Sequence, residues 1–370
     1  MRSWWAPLSV LSTAGLGSTF WWQKKADPYE LKLVQVLFRH GARTPLKSIP
    51  DVLEAQWVPD LLEVPNHTNI DYVVTDLQGG PRPNALVEDN YRSKKLYYMI
   101  PYEFLHSLNY FTVHLLRKKY IYTTAHNCLS VCSIRSTNII RTIESAKCLV
   151  AGLYQQKQTD VVSILTEEAE REILYPNYHG CKQLKLYRWA ESSTLPDIAS
   201  DLQSIQSALG VQPEQHLDFI LIRDDMVARE THGLPCPAVL HSWRARVEQR
   251  AVDMIYHIYD PANRVNLQLC VGPLLHTFLN NMEMNVQNNA LIKDRKLFLY
   301  SAHDTTLMPC LMALGVFDMR WPPYAADITL ELYQHRKTNQ HYIKVSYVGQ
   351  VRALIHTLIL IYNIKSINIL

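Results

Sequence analysis

Glycine is scarce in this chain, at 12 of 370 residues, less than half the usual share of about 7%. Little material is left for Gly-rich phosphate cradles, and neither G-x-x-x-x-G-K-[ST] nor a complete G-x-G-x-x-G occurs. The fragment Gly15-Leu16-Gly17 lacks a third glycine. H-E-x-x-H and G-x-S-x-G are also missing, which removes the common zinc-protease and serine-hydrolase patterns. Charge is thin: Asp, Glu, Lys and Arg make up 19%, with a net charge of +3 and no basic block, so nucleic acid is not an expected partner. No C-x-x-C pair occurs among the seven cysteines (128, 132, 148, 181, 236, 270, 310); buried thiols, or one or two disulfides, fit better than zinc. What the chain does have is apolar material, at 48%, so a buried core is expected and wholesale disorder is excluded.

No acidic residue precedes Asp27; residues 3–22 are uncharged, and Lys24 and Lys25 follow. Residues 1–28 therefore read as a leader outside the fold: a secretory signal, a short membrane anchor or a mitochondrial leader. A second apolar run, Ala353 to Ile361, is too short to span a bilayer. At roughly 150 residues per domain, the remainder suits two or three domains.

LKLVQVLF (31–38) is Val- and Leu-rich, as a buried strand is. It breaks at RHGARTP, and an irregular, Pro-rich stretch runs from Ile49 to Pro83. Residues 131–134 read as a short strand, with Ser136 as N-cap of an amphipathic helix over 136–155. Residues 156–264 read as a mainly helical insertion. KLFLYSA (296–302) is a second buried strand, ending in HDTT. ITLELYQ (328–334) and YIKVSYV (342–348) alternate with period two, as a half-exposed antiparallel hairpin does.

Three strands thus end in polar clusters: Arg39-His40-Gly41-Ala42-Arg43, Arg135-Ser136, and His303-Asp304. Ligands in open α/β sheets bind beyond the carboxyl ends of the strands, so these clusters are candidates to converge. Arginines fork onto phosphate oxygens, and several in one pocket imply a phosphate dianion. An imidazole nitrogen can then attack phosphorus, with neighbouring arginines keeping His40 unprotonated. Asp304 can supply the leaving alkoxide with its proton. Neither a metal nor a cofactor is needed, because the arginines neutralise the phosphoryl charge. Taken singly, Arg135 reads as a salt-bridge residue, and His303-Asp304 as a turn whose aspartate caps the next helix. Their joint placement favours catalysis.

R-H-G-A-R-T-P (39–45), together with an apolar strand running into His303-Asp304, resembles the paired signatures of the histidine acid phosphatases. The resemblance implies an α/β domain with a central mixed sheet flanked by helices, of the histidine phosphatase/phosphoglycerate mutase type, and an inserted mainly helical cap. It assigns His40 as the nucleophile, Asp304 as the proton donor, and Arg39, Arg43, Arg135 and His303 as the phosphate-binding set. GGPRP (79–83), IRSTNIIR (134–141), LYPNY (174–178), VGPLLH (271–276) and WPPYA (321–325) resemble a mitochondrial branch of that family that hydrolyses lysophosphatidic acid to monoacylglycerol. A small lipid phosphate is then the expected substrate and the mitochondrion the expected location, with the secretory pathway as alternative. Peripheral membrane contact fits that substrate, and a monomer is the default. The organisation implied is a core at 29–155 and 265–350, a cap at 156–264 and an atypical apolar tail at 351–370. The resemblance fails over 85–113, 121–130 and the tail; no glycine lies between Gly80 and Gly152. Two alternatives follow: a relative acting on inositol phosphates or phosphoproteins, and a non-catalytic phosphate-binding paralogue.

Overall fold

Strand β1 (Tyr29–Arg39) is buried over its last seven residues, as its apolar composition requires. It sits inside an eight-stranded sheet of order β2-β4-β3-β5-β1-β6-β7-β8, in a computed structural model describing residues 27–57, 70–84, 131–154, 161–185, 189–292 and 294–356. Residues 1–26 of the expected leader, the 85–130 stretch and the expected tail beyond 356 lie outside the described residues.

The other strands are β2 (Tyr72–Thr75), β3 (Cys132–Ser136), β4 (Val162–Leu165), β5 (Leu297–Ala302), β6 (Asp327–His335), β7 (His341–Tyr347) and β8 (Gln350–His356). β5 runs parallel to both β1 and β3, with Arg39 opposite Ala302 and Ser136 opposite Ser301. The three polar clusters therefore emerge from one edge of the sheet. β6, β7 and β8 continue it antiparallel beyond β1.

Helix α1 (Ile140–Tyr154) covers one face, packing Ile143, Ala146, Val150 and Leu153 on Val34, Val36, Phe38 and Ile134. On the other face, α7 (Arg264–Val286) and α8 (Asp304–Ala313) lay Leu274, Phe278, Leu307 and Leu311 on Leu33, Leu37 and Tyr300. Truncating Phe38 to alanine in this core would cost about 3–5 kcal/mol. The intervening helices are α2 (Lys182–Lys185), α3 (Trp189–Thr194), α4 (Pro196–Leu209), α5 (Phe219–Thr231) and α6 (Ala238–Tyr259). Their own core, including Ile205, Phe219, Ile222, Val247 and Ile255, also takes in Met308, Met312 and Trp321. The helical region is thus welded to α8 and to the loop before β6.

Several expectations need correction. The span 156–264 is not helical from its start, because β4 enters the main sheet between β2 and β3; the helices begin at Lys182. The irregular stretch before Pro83 contains β2, parallel to β4. Ser136 does not cap a helix: it ends β3, donates from Oγ to the Thr137 carbonyl, and α1 starts at Ile140. The 327–347 hairpin is not half-exposed, because β1 flanks it on one side and β8 on the other, and even Asp327 and Glu331 are buried. β8 itself is built from the first residues of the supposed tail.

Candidate active site

His40 follows β1 directly, its N–H donating to the Ala302 carbonyl at 2.9 Å. Nδ1 lies 2.7 Å from the Gly41 carbonyl. A carbonyl can only accept, so Nδ1 carries the proton and Nε2 keeps its lone pair. Gly41 is tied in turn to α1, donating to Ser145 Oγ at 2.9 Å. Burial first, then Arg141, Arg39, Arg43 and His303, hold the His40 pKa well below its ordinary 6.5. The ring is therefore neutral, oriented and nucleophilic at mildly acid pH.

The His303 ring lies 5.5 Å from that of His40. Its Nδ1 is 3.4 Å from Arg141 Nη2, and since arginine only donates, this nitrogen is the acceptor. Nε2–H then donates to Thr137 Oγ1 at 3.0 Å, and Thr137 meets Thr142 Oγ1 at 2.7 Å. Burial and Arg141 depress the His303 pKa well below 6.5 too, in agreement with that tautomer.

Asp304 occupies the first position of α8, where the helix dipole favours a negative charge. Oδ2 accepts from Arg39 Nη2 at 2.7 Å and from Trp321 Nε1 at 3.0 Å, and Oδ1 from the Thr305 N–H at 2.8 Å. Burial alone would raise its pKa; Arg39, Arg43, the Trp321 bond and His303 outweigh it and bring it down to about 2. Arg39 also donates to the Pro322 carbonyl at 2.7 Å and lies 4.2 Å from the Tyr324 ring centroid. Arg43 is held bidentately by Asp224 from α5, at 2.9 and 2.8 Å. The Nε–H groups of Arg39 and Arg43 are buried without an acceptor among the described residues, a cost that an entering anion can relieve.

His40, Arg39, Arg43, His303 and Asp304 are thus brought together. Arg135 is not. Its guanidinium lies 3.0 Å from the buried Glu172, whose carboxylate also caps the Ile173 and Leu174 N–H groups. Inside a strand a side chain projects to a face of the sheet rather than over its end, so Arg135 serves packing behind the site. The third arginine is Arg141, in the first turn of α1 and first among the charges acting on both histidines. Sequence reasoning also missed Asp224, Trp321 and Tyr324. A signal for Arg141 was present in IRSTNIIR: the first turn after a strand sits over that strand's carboxyl end.

No group of three or more His, Cys, Asp or Glu among the described residues is arranged to hold a metal ion. A cleft of about 900 Å³ adjoins the site, sharing Ala42, Trp321, Pro323 and Tyr324 with its surroundings and continuing to Val227, Val252, Met319 and Arg320.

A nucleophilic imidazole among arginines, with a carboxyl group opposite, defines a phosphoryl-transfer centre. The model of the histidine phosphatase superfamily (branch 2) matches residues 30–206 and 236–348, and the chain belongs to that family. It is a histidine acid phosphatase-type phosphomonoesterase. It is 40% identical over 340 residues to lysophosphatidic acid phosphatase type 6 of Bos taurus, covering 87% of this chain and 78% of that one. The Homo sapiens protein of the same name is 38% identical over 339 residues, with the same coverage. Testicular acid phosphatase of Homo sapiens is 27% identical, over 82% of this chain and 68% of that one. Among solved structures, the apo form of Hafnia alvei phytase shares the fold, with a TM-score of 0.57 at 16% identity over 86% of this chain and 84% of that one.

Proposed function

We propose that this phosphatase hydrolyses lysophosphatidic acid to monoacylglycerol and phosphate through a phosphohistidine on His40, without a metal. The observation that carries the substrate is the large cleft beside the site. Its walls mix Val227, Val252, Met319, Trp321 and Pro323 with charged groups that are mostly already paired. Arg223 is 2.7 Å from Glu248 and Arg244 is 3.0 Å from Glu230, so of the arginines lining the cleft Arg320 alone makes no ion pair among the described residues. A highly phosphorylated inositol would want several uncompensated cations there; a single acyl chain wants the apolar wall. Asp304 is bonded to Trp321, which lines that cleft, so the leaving alcohol departs into it.

The resting Asp304 is a carboxylate, so the proton must arrive with the substrate. A phosphate monoester loses its last proton near pH 6, and the arginines favour the dianion, so the bound monoanion passes its proton to Asp304. The His40 Nε2 lone pair then forms the N–P bond while the P–O bond to glycerol breaks, and the alkoxide takes the proton from Asp304. In the second step a water oxygen attacks phosphorus, its proton returns to Asp304, and the N–P pair goes back to Nε2. Arg39, Arg43 and Arg141, with His303, hold the phosphoryl oxygens throughout.

The test is hydrolysis of lysophosphatidic acid, phytate and an aryl phosphate with EDTA present, for wild type and His40→Ala. Turnover of the lipid that persists in EDTA and disappears in the variant is expected. Lipid turnover that EDTA abolishes would remove the metal-independent mechanism, and a preference for phytate would overturn the substrate. A mitochondrial location belongs to the same proposal, checked by sequencing the mature N terminus from isolated mitochondria.

A further inference from the structure

Three groups of the active site hang on one loop. Between α8 and β6, Trp321 donates to Asp304, the Pro322 carbonyl accepts from Arg39, and the Tyr324 ring lies beneath the Arg39 guanidinium and 6.2 Å from the His40 ring. The loop is conformationally costly: Met319 and Ala325 stand at φ +55° and +65°, which side chains with a Cβ rarely adopt. A strained loop keeps such a shape only where its surroundings over-determine it. One restraint comes from an unexpected place.

β8 pairs with β7 so that Gln350 faces Tyr347, Val351 faces Ser346 and Ala353 faces Val345. Arg352 is therefore the extra residue of a β-bulge, and a bulge re-aims the side chain it carries. That side chain reaches Asp318 at 3.2 Å, with its guanidinium carbon 5.4 Å from the Tyr347 ring centroid. The two side chains are 28% and 26% exposed, and among the described residues the second Asp318 oxygen is buried without a hydrogen-bond partner. Removing Arg352 would leave that carboxylate with no ion-pair partner among the described residues, three residues before Trp321 in the loop.

We propose that Arg352 is a positioning residue: through Asp318 it fixes the loop that holds Asp304, Arg39 and the mouth of the cleft. The inference rests on the phosphatase reading, and it assigns a role to a residue that lies beyond the stretch matched by the family model, which ends at residue 348. The loop touches Asp304 directly, so its loosening should harm proton delivery more than phosphate capture. Leaving groups that need a proton then suffer most. The Trp321 bond is one of the contacts that lower the Asp304 pKa, so its loss also moves the acid limb of kcat/KM upward.

The experiment compares wild type, Arg352→Gln, Arg352→Lys and Asp318→Asn on lysophosphatidic acid and on an aryl phosphate with a good leaving group, with Tm recorded for each. Arg352→Gln and Asp318→Asn are expected to lower kcat on the lipid about tenfold, less than the roughly 10²-fold of a full ångström's misplacement, with a much smaller loss on the aryl ester. The acid limb should rise in both variants, and Arg352→Lys should recover most of the loss. Equal losses on the two substrates, an unmoved acid limb, or a lysine variant as poor as the glutamine one would overturn the proposal. Should Arg352→Gln fail to fold, the isosteric Asp318→Asn decides by the same readouts. Absence of wild-type turnover on either ester would instead sink the phosphatase reading, and this proposal with it.

Discussion

The sheet side and the cap side of the active site are held by different means. On the sheet side, β1 and β5 exchange parallel ladder hydrogen bonds, and Arg39, His40, His303 and Asp304 follow from where those strands stop. On the cap side, Asp224 reaches Arg43 from a helix 181 residues along the chain, and Trp321 and Tyr324 come from a loop anchored on Asp318. Backbone ladders fix the sheet groups whatever the neighbouring side chains do. Single side-chain contacts fix the cap groups, so substitutions should loosen these selectively. Nucleophile geometry belongs to the first region, and charge tuning and leaving-group handling to the second.

That division orders the expected effects. Loss of His40 in the alanine variant should abolish turnover, by more than about 10⁴-fold as for other covalent nucleophiles. Next comes the pair of arginines near β3. Arg141→Ala should lower kcat/KM by about 10²–10³-fold, as removal of a charge-stabilising donor does, with little change in Tm. Arg135→Ala should do the reverse: it breaks a buried pair with Glu172, worth about 3–5 kcal/mol of stability, while the folded enzyme keeps its kcat. Matched activity losses in the two variants would erase the distinction drawn between them. On the cap side, Asp224→Asn should raise KM more than it lowers kcat, because Arg43 remains charged but loses its fixed fork. A kcat effect alone would place Asp224 in the chemistry instead.

The smallest effect concerns stability against pH. His40 and His303 stay neutral in the folded protein well below pH 6.5, while the unfolded chain protonates them there. The unfolded state then binds more protons, so stability present above pH 6.5 is lost as pH falls below it. His40→Gln removes one such group, and its Tm should drop less between pH 7 and pH 5 than that of wild type. An equal drop in both proteins would mean that His40 protonates normally.

The sheet side could be read from sequence because an apolar run that ends in charge is a local pattern, as in 31–43 and 297–304. Arg141 was harder, since choosing it over Arg135 requires knowing that β3 ends at Ser136 and that α1 begins at Ile140. One residue projects from a strand face, and the other hangs over the strand end. Asp224 carries no local signal at all, because its partner is remote in the chain and Arg223-Asp224-Asp225 reads equally as a solvated helix face. β8 was hidden for a different reason. Its apolar residues resemble a stray tail until β7 supplies the ladder that pairs them.

The most direct test is to trap the intermediate. Wild-type enzyme mixed with phosphorus-labelled lysophosphatidic acid, quenched in alkali within the first turnover and digested, should carry one label, on His40. The Asp304→Asn variant should accumulate it when an aryl phosphate is the donor, because breakdown by water is slowed. Label on His303 or on any other residue, or full turnover with no label on His40, would contradict the assignment of His40 as the nucleophile.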